Sequence, residues 1–177
     1  YTVEELLPED SLYECKGDNP QTVTITQGEV ADITFVNALR TGKVTVEKID
    51  ITGSPLAGAT FRLEWSAEGS LWYPVTYSEA IVRGGCSNPD VEDGSLTTGA
   101  DGILEWGNLY PSLQYRLTET KAPEGYKLLD KAAYEGELPV DDLAITVRVT
   151  NARTFTMPDT GARTGPFLRV LRICLLY

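Results

Sequence analysis

Three residues far apart in the chain share one setting. Lys48 closes the series Val44, Val46, Lys48; Glu119 closes Tyr115, Leu117, Glu119; Asn151 closes Ile145, Val147, Val149, Asn151. Residues two apart lie on one face of a β-strand, so each series reads as a core face that ends in a polar group. A lysine, carboxylate or amide on a core face is costly unless partnered, and three from three strands can partner one another. In a dry site burial lowers the pKa of Lys48 and raises that of Glu119, by up to ~3–5 units when burial is complete. Lys48 is then a free amine and a nucleophile. Glu119 is then a neutral acid that can hydrogen-bond the Asn151 side-chain carbonyl and move protons. Attack on the Asn151 amide carbon expels ammonia and leaves a Lys–Asn isopeptide bond, once per molecule, with the folded core supplying the effective molarity. The alternative is an ordinary sandwich in which Lys48 snorkels at a strand end, Glu119 is solvated and Asn151 caps a turn.

The elements that must position these residues read as strands. Residues 42–50 and 59–65 alternate with period two, separated by Gly53-Ser54-Pro55. Further short strands are expected at 104–106, 115–119 and 144–151. Turn chemistry lies at Gly99-Ala100-Asp101-Gly102 and Tyr110-Pro111-Ser112. No stretch sustains a 3.6-residue period, so helix content should be low. This pattern argues an all-β, Ig-like β-sandwich. Residues 66–98 are long, polar and rich in Gly and Ser, and read as one or two strands within 72–77 plus an extended loop.

The chain also repeats itself. Tyr1-Thr2-Val3-Glu4-Glu5 resembles Tyr115-Arg116-Leu117-Thr118-Glu119, and Ile33-Thr34-Phe35-Val36-Asn37-Ala38 resembles Val147-Arg148-Val149-Thr150-Asn151-Ala152, at equal spacing. Residues 1–39 are therefore expected to be the closing part of one domain and 42–152 a whole copy of it, followed by a 153–177 linker and tail. Glu5 and Asn37 are the partial-copy equivalents of Glu119 and Asn151.

Composition narrows the function. Among 177 residues there are 26 Asp and Glu against 15 Lys and Arg, a net charge of −11 that argues against a nucleic-acid or anionic-lipid partner. Arg153, Arg163, Arg169 and Arg172 against Asp159 leave +3 after Ala152 and −14 before it. The absence of histidine excludes Ser-His-Asp and Cys-His catalysis and every Cys/His zinc site. Cys15, Cys86 and Cys174 are far apart and form no C-x-x-C, against a disulfide framework. The acidic run 90–94 lacks the ligand spacing of a calcium loop and reads as solvated. Phe61, Trp65 and Trp106 read as core. No metal or cofactor is expected.

The motifs resemble the B-type repeat of Gram-positive collagen adhesins, the SpaA-like or prealbumin-like fold. Val44-x-Val46-x-Lys48-x-Asp50 and Gly53-x-Pro55-Leu56-Ala57-Gly58-Ala59-x-Phe61-x-Leu63 resemble its first two strands. Tyr115-x-Leu117-x-Glu119-Thr120-x-Ala122-Pro123-x-Gly125-Tyr126 resembles the E-box of sortase-assembled pilins, and Val147-x-Val149-x-Asn151 the closing strand. The resemblance covers 42–152 fully and 1–39 in part. It implies an isopeptide bond between Lys48 and Asn151 with Glu119 as its acid/base; the lysine of the partial copy would lie upstream of residue 1.

Met157-Pro158-Asp159-Thr160-Gly161 resembles the LPxTG sorting signal, with Met for Leu. This implies cleavage by sortase between Thr160 and Gly161 and transfer of the Thr carboxyl to a cell-wall peptidoglycan or pilin amine. The tail after it is short of the ~20 apolar residues of a membrane span and is interrupted by arginines. Together these features imply an extracellular, cell-wall-anchored stalk or minor pilin segment. It would be no turnover enzyme. The rival expectation is an adhesin module that contacts a host matrix protein or glycan through residues 66–98.

Overall fold

The computed structural model describes residues 1–154. The expected sorting signal, 157–161, and the tail lie outside the described residues. All regular structure among the described residues is β.

The first four strands are short: β1 (Thr2–Val3), β2 (Tyr13–Lys16), β3 (Gln21–Thr22) and β4 (Val36–Leu39). They pair among themselves, β1 with β3 and β2 with β4, both antiparallel. The main sandwich follows with β5 (Gly42–Ile49), β6 (Thr60–Ser66), β7 (Tyr73–Pro74), β8 (Thr76–Tyr77), β9 (Gly85–Cys86), β10 (Ser95–Thr97), β11 (Ile103–Leu109), β12 (Gln114–Lys121), β13 (Tyr134–Glu137) and β14 (Ala144–Thr150). One sheet has the order β11-β5-β14; the other has β10-β6-β12-β13, with β7 also paired to β6. β14 runs parallel to β5 with Val149 opposite Lys48, whereas β11 runs antiparallel to it.

Alternation explains the two layers. Val44 and Val46 on β5, Phe61 and Leu63 on β6, Trp106 and Leu109 on β11, and Tyr115 and Leu117 on β12 are fully buried between the sheets. Each such side chain contributes about 1.5–3 kcal/mol on leaving water. Trp106 and Tyr115 also satisfy their polar tips: Trp106 Nε1–H donates to the Gly94 carbonyl at 3.2 Å and the Tyr115 hydroxyl to the Tyr110 carbonyl at 2.8 Å. Phe61 and Trp106 are core residues as expected, while Trp65 is only partly buried and stacks beside Tyr73 at 5.6 Å.

Two expectations need correcting. Residues 66–98 hold the two expected short strands within 72–77, β7 and β8, but also β9 and β10 where an extended loop was expected; β7 and β10 pair with β6, and β8 with β9. In the first copy the strand-like run Ile33-Thr34-Phe35 is unpaired, and regular pairing starts only at Val36. The matching run on β14 is held by β5, and among the described residues the first copy has no such partner strand. Its apolar face is correspondingly open: Tyr1 is 80% exposed where Tyr115 is fully buried. Cys15 and Cys86 are both free.

Gly102 links the turn chemistry to the position of Lys48. It adopts φ 70°, its carbonyl accepts the Lys48 N–H at 2.8 Å, and a Cβ there would fall 2.4 Å from the Lys48 carbonyl oxygen. Gly102→Ala is therefore expected to cost about 1–3 kcal/mol by forcing β5 away from the turn. Urea unfolding should give a lower midpoint with an unchanged slope; an unchanged midpoint would refute this account of the turn.

Candidate functional site

Lys48 and Asn151 approach from one sheet and Glu119 from the other. On β5 the even-numbered residues Val44, Val46 and Lys48 face inward. The parallel register sets Lys48 beside Val149, and Asn151 follows two residues on, just past the end of β14. On β12, Tyr115, Leu117 and Glu119 face inward in the same way. Lys48, Glu119 and Asn151 are 0%, 2% and 2% exposed. All three side chains are withdrawn from solvent, unlike the solvated Glu119 of the ordinary-sandwich alternative.

The hydrogen bonds form two adjacent sets, one joining Glu119 to Asn151 and one at Lys48 Nζ. Asn151 Nδ2 donates to Glu119 Oε2 at 2.5 Å and to the Lys127 carbonyl at 2.7 Å. The Leu129 N–H also donates to Glu119 Oε2, at 3.1 Å. Lys48 Nζ donates to the carbonyls of Ile49 and Val149 at 3.2 and 3.3 Å. Glu119 Oε1 and Asn151 Oδ1 are buried without a partner. The expectation that Glu119 bonds the Asn151 carbonyl is corrected here, because the carboxylate faces the amide nitrogen. The reason is the Lys127 carbonyl, which needs a donor on the same side of the amide.

Electrostatics favour a reactive amine. Burial holds the Lys48 pKa below the ordinary lysine range, and the nearby Glu119 and Asp50 carboxylates only partly oppose that effect. An amine that is easier to free of its proton, an amide carbon and a carboxylate that faces the amide nitrogen are groups an acyl transfer can use. Among the described residues no group of His, Cys, Asp and Glu has the arrangement to hold a metal.

The segment after β12 completes the site, and the sequence reading missed it. Lys127 N–H donates to the Ala152 carbonyl at 2.8 Å, and Thr154 N–H to the Gly125 carbonyl at 2.7 Å. These bonds fasten residues 125–129 across the end of β14 and aim the Lys127 carbonyl and Leu129 N–H inward. Both contributions are backbone groups, so no residue type advertises them.

Residues 1–39 hold a similar pair nearer the surface. Asn37 Nδ2 donates to Glu5 Oε1 at 2.8 Å, and Glu5 Oε2 has no partner. Cys15 lies opposite Asn37 on β2, and desolvation and the neighbouring Glu5 push its thiol pKa upward.

A two-sheet, all-β sandwich with a lysine, glutamate and asparagine gathered in its interior defines a class of structural domain. The chain belongs to the SpaA family of prealbumin-like fold domains, which matches residues 42–153. Among solved structures, the group B streptococcus pilus 2b backbone protein is similar at 27% identity and a TM-score of 0.51, covering 85% of this chain and 52% of that one. A streptococcal ancillary pilin matches at 24% identity and TM-score 0.46, covering 85% of this chain and 41% of its own. The minor pilin GBS52 of Streptococcus agalactiae matches at 20% and 0.48, covering 76% and 59%. The chain thus spans about half the length of the pilus backbone protein it matches. No curated protein matches it. The fold is of the Gram-positive pilin type.

The Glu119 contacts can be weighed directly. In a Lys48→Met background, which can form no bond through the amine, Glu119→Ala leaves the Asn151 amide and the Leu129 N–H without their acceptor. Urea unfolding should show a loss of about 2–4 kcal/mol. A loss below about 1 kcal/mol would mean that these hydrogen bonds do not hold the site.

Proposed function

We propose that residues 42–152 form a self-cross-linking structural domain in a cell-wall-anchored stalk or minor pilin subunit. The observation that carries this reading is the burial of the Lys48 amine in one site with the Glu119–Asn151 pair. Neutral Lys48 Nζ attacks Cγ of Asn151 and forms the new C–N bond. Glu119, which accepts two N–H groups as a carboxylate instead of acting as the neutral acid expected, takes the Nζ proton on Oε1, which has no other partner. Nδ2, which already faces Oε2, takes a proton as the Cγ–Nδ2 bond breaks, and leaves as ammonia. Glu119 returns to its starting protonation state, and the first strand is tied to the last. The similarity to a pilus backbone protein supports the structural role.

The same reading extends along the chain. Residues 1–39 are the closing part of a second such domain, with Glu5 and Asn37 as its acceptor pair and its lysine on an upstream strand. Residues 157–161 are the sortase signal, and the partners are sortase and a peptidoglycan or pilin amine at the cell surface. Incubation with a sortase and a glycine-rich peptide should yield a product ending at Thr160; an intact Thr160–Gly161 bond would refute the signal. One observation favours the adhesin alternative: Leu71, Tyr73, Tyr77, Ile81 and Val82 are all exposed within the 66–98 segment. Saturable binding of the chain to an immobilised matrix protein, lost in Leu71→Ser/Tyr73→Ser, would support it.

Intact mass decides the cross-link. The folded chain should be lighter than its sequence by one ammonia, and Lys48→Ala or Asn151→Ala should restore the full mass. A full mass in folded, unsubstituted protein sinks the proposal. Only the free amine attacks, so the rate should rise about tenfold per pH unit and level off above the Lys48 pKa. Because burial depresses that pKa, levelling should come at lower pH than for a solvated lysine.

A further inference from the structure

Each residue of the proposed bond is followed, two positions on, by a charged residue. Asp50 lies two beyond Lys48 and Arg153 two beyond Asn151. Because β5 and β14 run parallel, the second pair repeats the diagonal of the first. Arg153 Nη2 lies 3.8 Å from Asp50 Oδ2, and the Asp50 side chain is only 9% exposed. The other Asp50 oxygen is fully used: Oδ1 accepts from the Thr52 N–H at 2.7 Å, the Thr52 hydroxyl at 2.6 Å and the Ser54 N–H at 3.0 Å. The carboxylate is thereby fixed with Oδ2 toward Arg153. Arg153 is held from its own side by a backbone bridge to Tyr126 and by the Tyr126 ring, 5.7 Å from its guanidinium carbon.

We propose that Asp50 and Arg153 are a positioning pair for the Lys48–Asn151 reaction, pinning the end of β14 in register on β5 while Arg153 shields Lys48 from the Asp50 carboxylate. This rests on the self-cross-link proposed above. An exposed ion pair adds little stability, and Arg153 is largely exposed, so the effect belongs to the reaction and not to the fold.

The charges around Lys48 make the sign definite. Glu119 faces it from β12, and Asp50 from the end of its own strand. Glu105 on β11 and Arg148 on β14 are engaged on the outer face, with Lys43 and Glu47 respectively. Asp101, in the adjoining turn, is exposed and caps the Ile103 N–H. Both anions that face Lys48 favour its ammonium form, and Arg153 offsets one of them. Without Arg153 the amine is harder to free, so the rate–pH curve moves to higher pH. Without Asp50 it moves to lower pH, while the plateau falls because the register contact is lost.

The test follows ammonia loss by intact mass after the full chain, recovered unreacted from urea-solubilised inclusion bodies, is refolded across a pH series. Arg153→Gln should raise the midpoint by about half a unit, or about threefold slower reaction on the rising limb. Arg153→Lys should restore most of the rate, high salt should shrink the difference, and Asp50→Asn should lower both midpoint and plateau. An Arg153→Gln chain with the parent's midpoint and plateau overturns the proposal. If the parent itself refolds without losing ammonia, the cross-link reading fails, and this inference with it.

Discussion

The parallel ladder between β5 and β14 is the constraint on which the domain depends. It joins the first strand of the sandwich to the last and sets Lys48 opposite Val149. Parallel partners need a long crossover, and here that crossover is the rest of the sandwich: β6, β7, β10, β12 and β13 form the facing sheet, and β11 pairs beside β5 on the way. Glu119 therefore meets Lys48 and Asn151 from across the core, not from a neighbouring strand. A one-residue slip of β14 would turn Val147, Val149 and Asn151 outward together, so the apolar face fixes the polar site's register as well.

The interior carries a cost in exchange. A lysine, a glutamate and an asparagine occupy space that apolar side chains could fill, and two of their acceptor atoms have no hydrogen-bond partner. Buried polar groups are commonly neutral or unfavourable for stability when compared with an apolar replacement. Their retention here, with a desolvated amine beside an amide held by Glu119 Oε2 and the Lys127 carbonyl, is hard to account for as packing. Residues 125–129, fastened to the end of β14, supply the Lys127 carbonyl and the Leu129 N–H to it.

Much of this was legible in the sequence, because period-two alternation reports directly on which side chains enter a two-layer core. The inward series ending at Lys48, Glu119 and Asn151 could be read from that rule alone, as could the buried roles of Phe61 and Trp106. Three features could not. The orientation of the Asn151 amide depends on the Lys127 carbonyl, a backbone group with no compositional signature. Of the short strands between Ser66 and Thr97, β9 and β10 escaped the pattern because their pairing with β8 and β6 places them. The Ile33–Phe35 run has strand character but no ladder, since alternation gives a preference and only a partner supplies the hydrogen bonds. Set beside β14, whose matching residues are paired along β5, it separates the two contributions cleanly.

The direction of the β5–β14 pairing has a mechanical corollary. The chain enters β5 at Gly42 and leaves β14 at Thr150, at opposite ends of one parallel ladder. Without the proposed Lys48–Asn151 bond, tension along the polypeptide loads the hydrogen bonds of that ladder in shear, all at once; with it, the covalent tie carries the load. An antiparallel pairing of first and last strands would put both ends at one edge, and the ladder would peel open a bond at a time. Topology alone thus sets this ladder in the orientation in which its hydrogen bonds resist together.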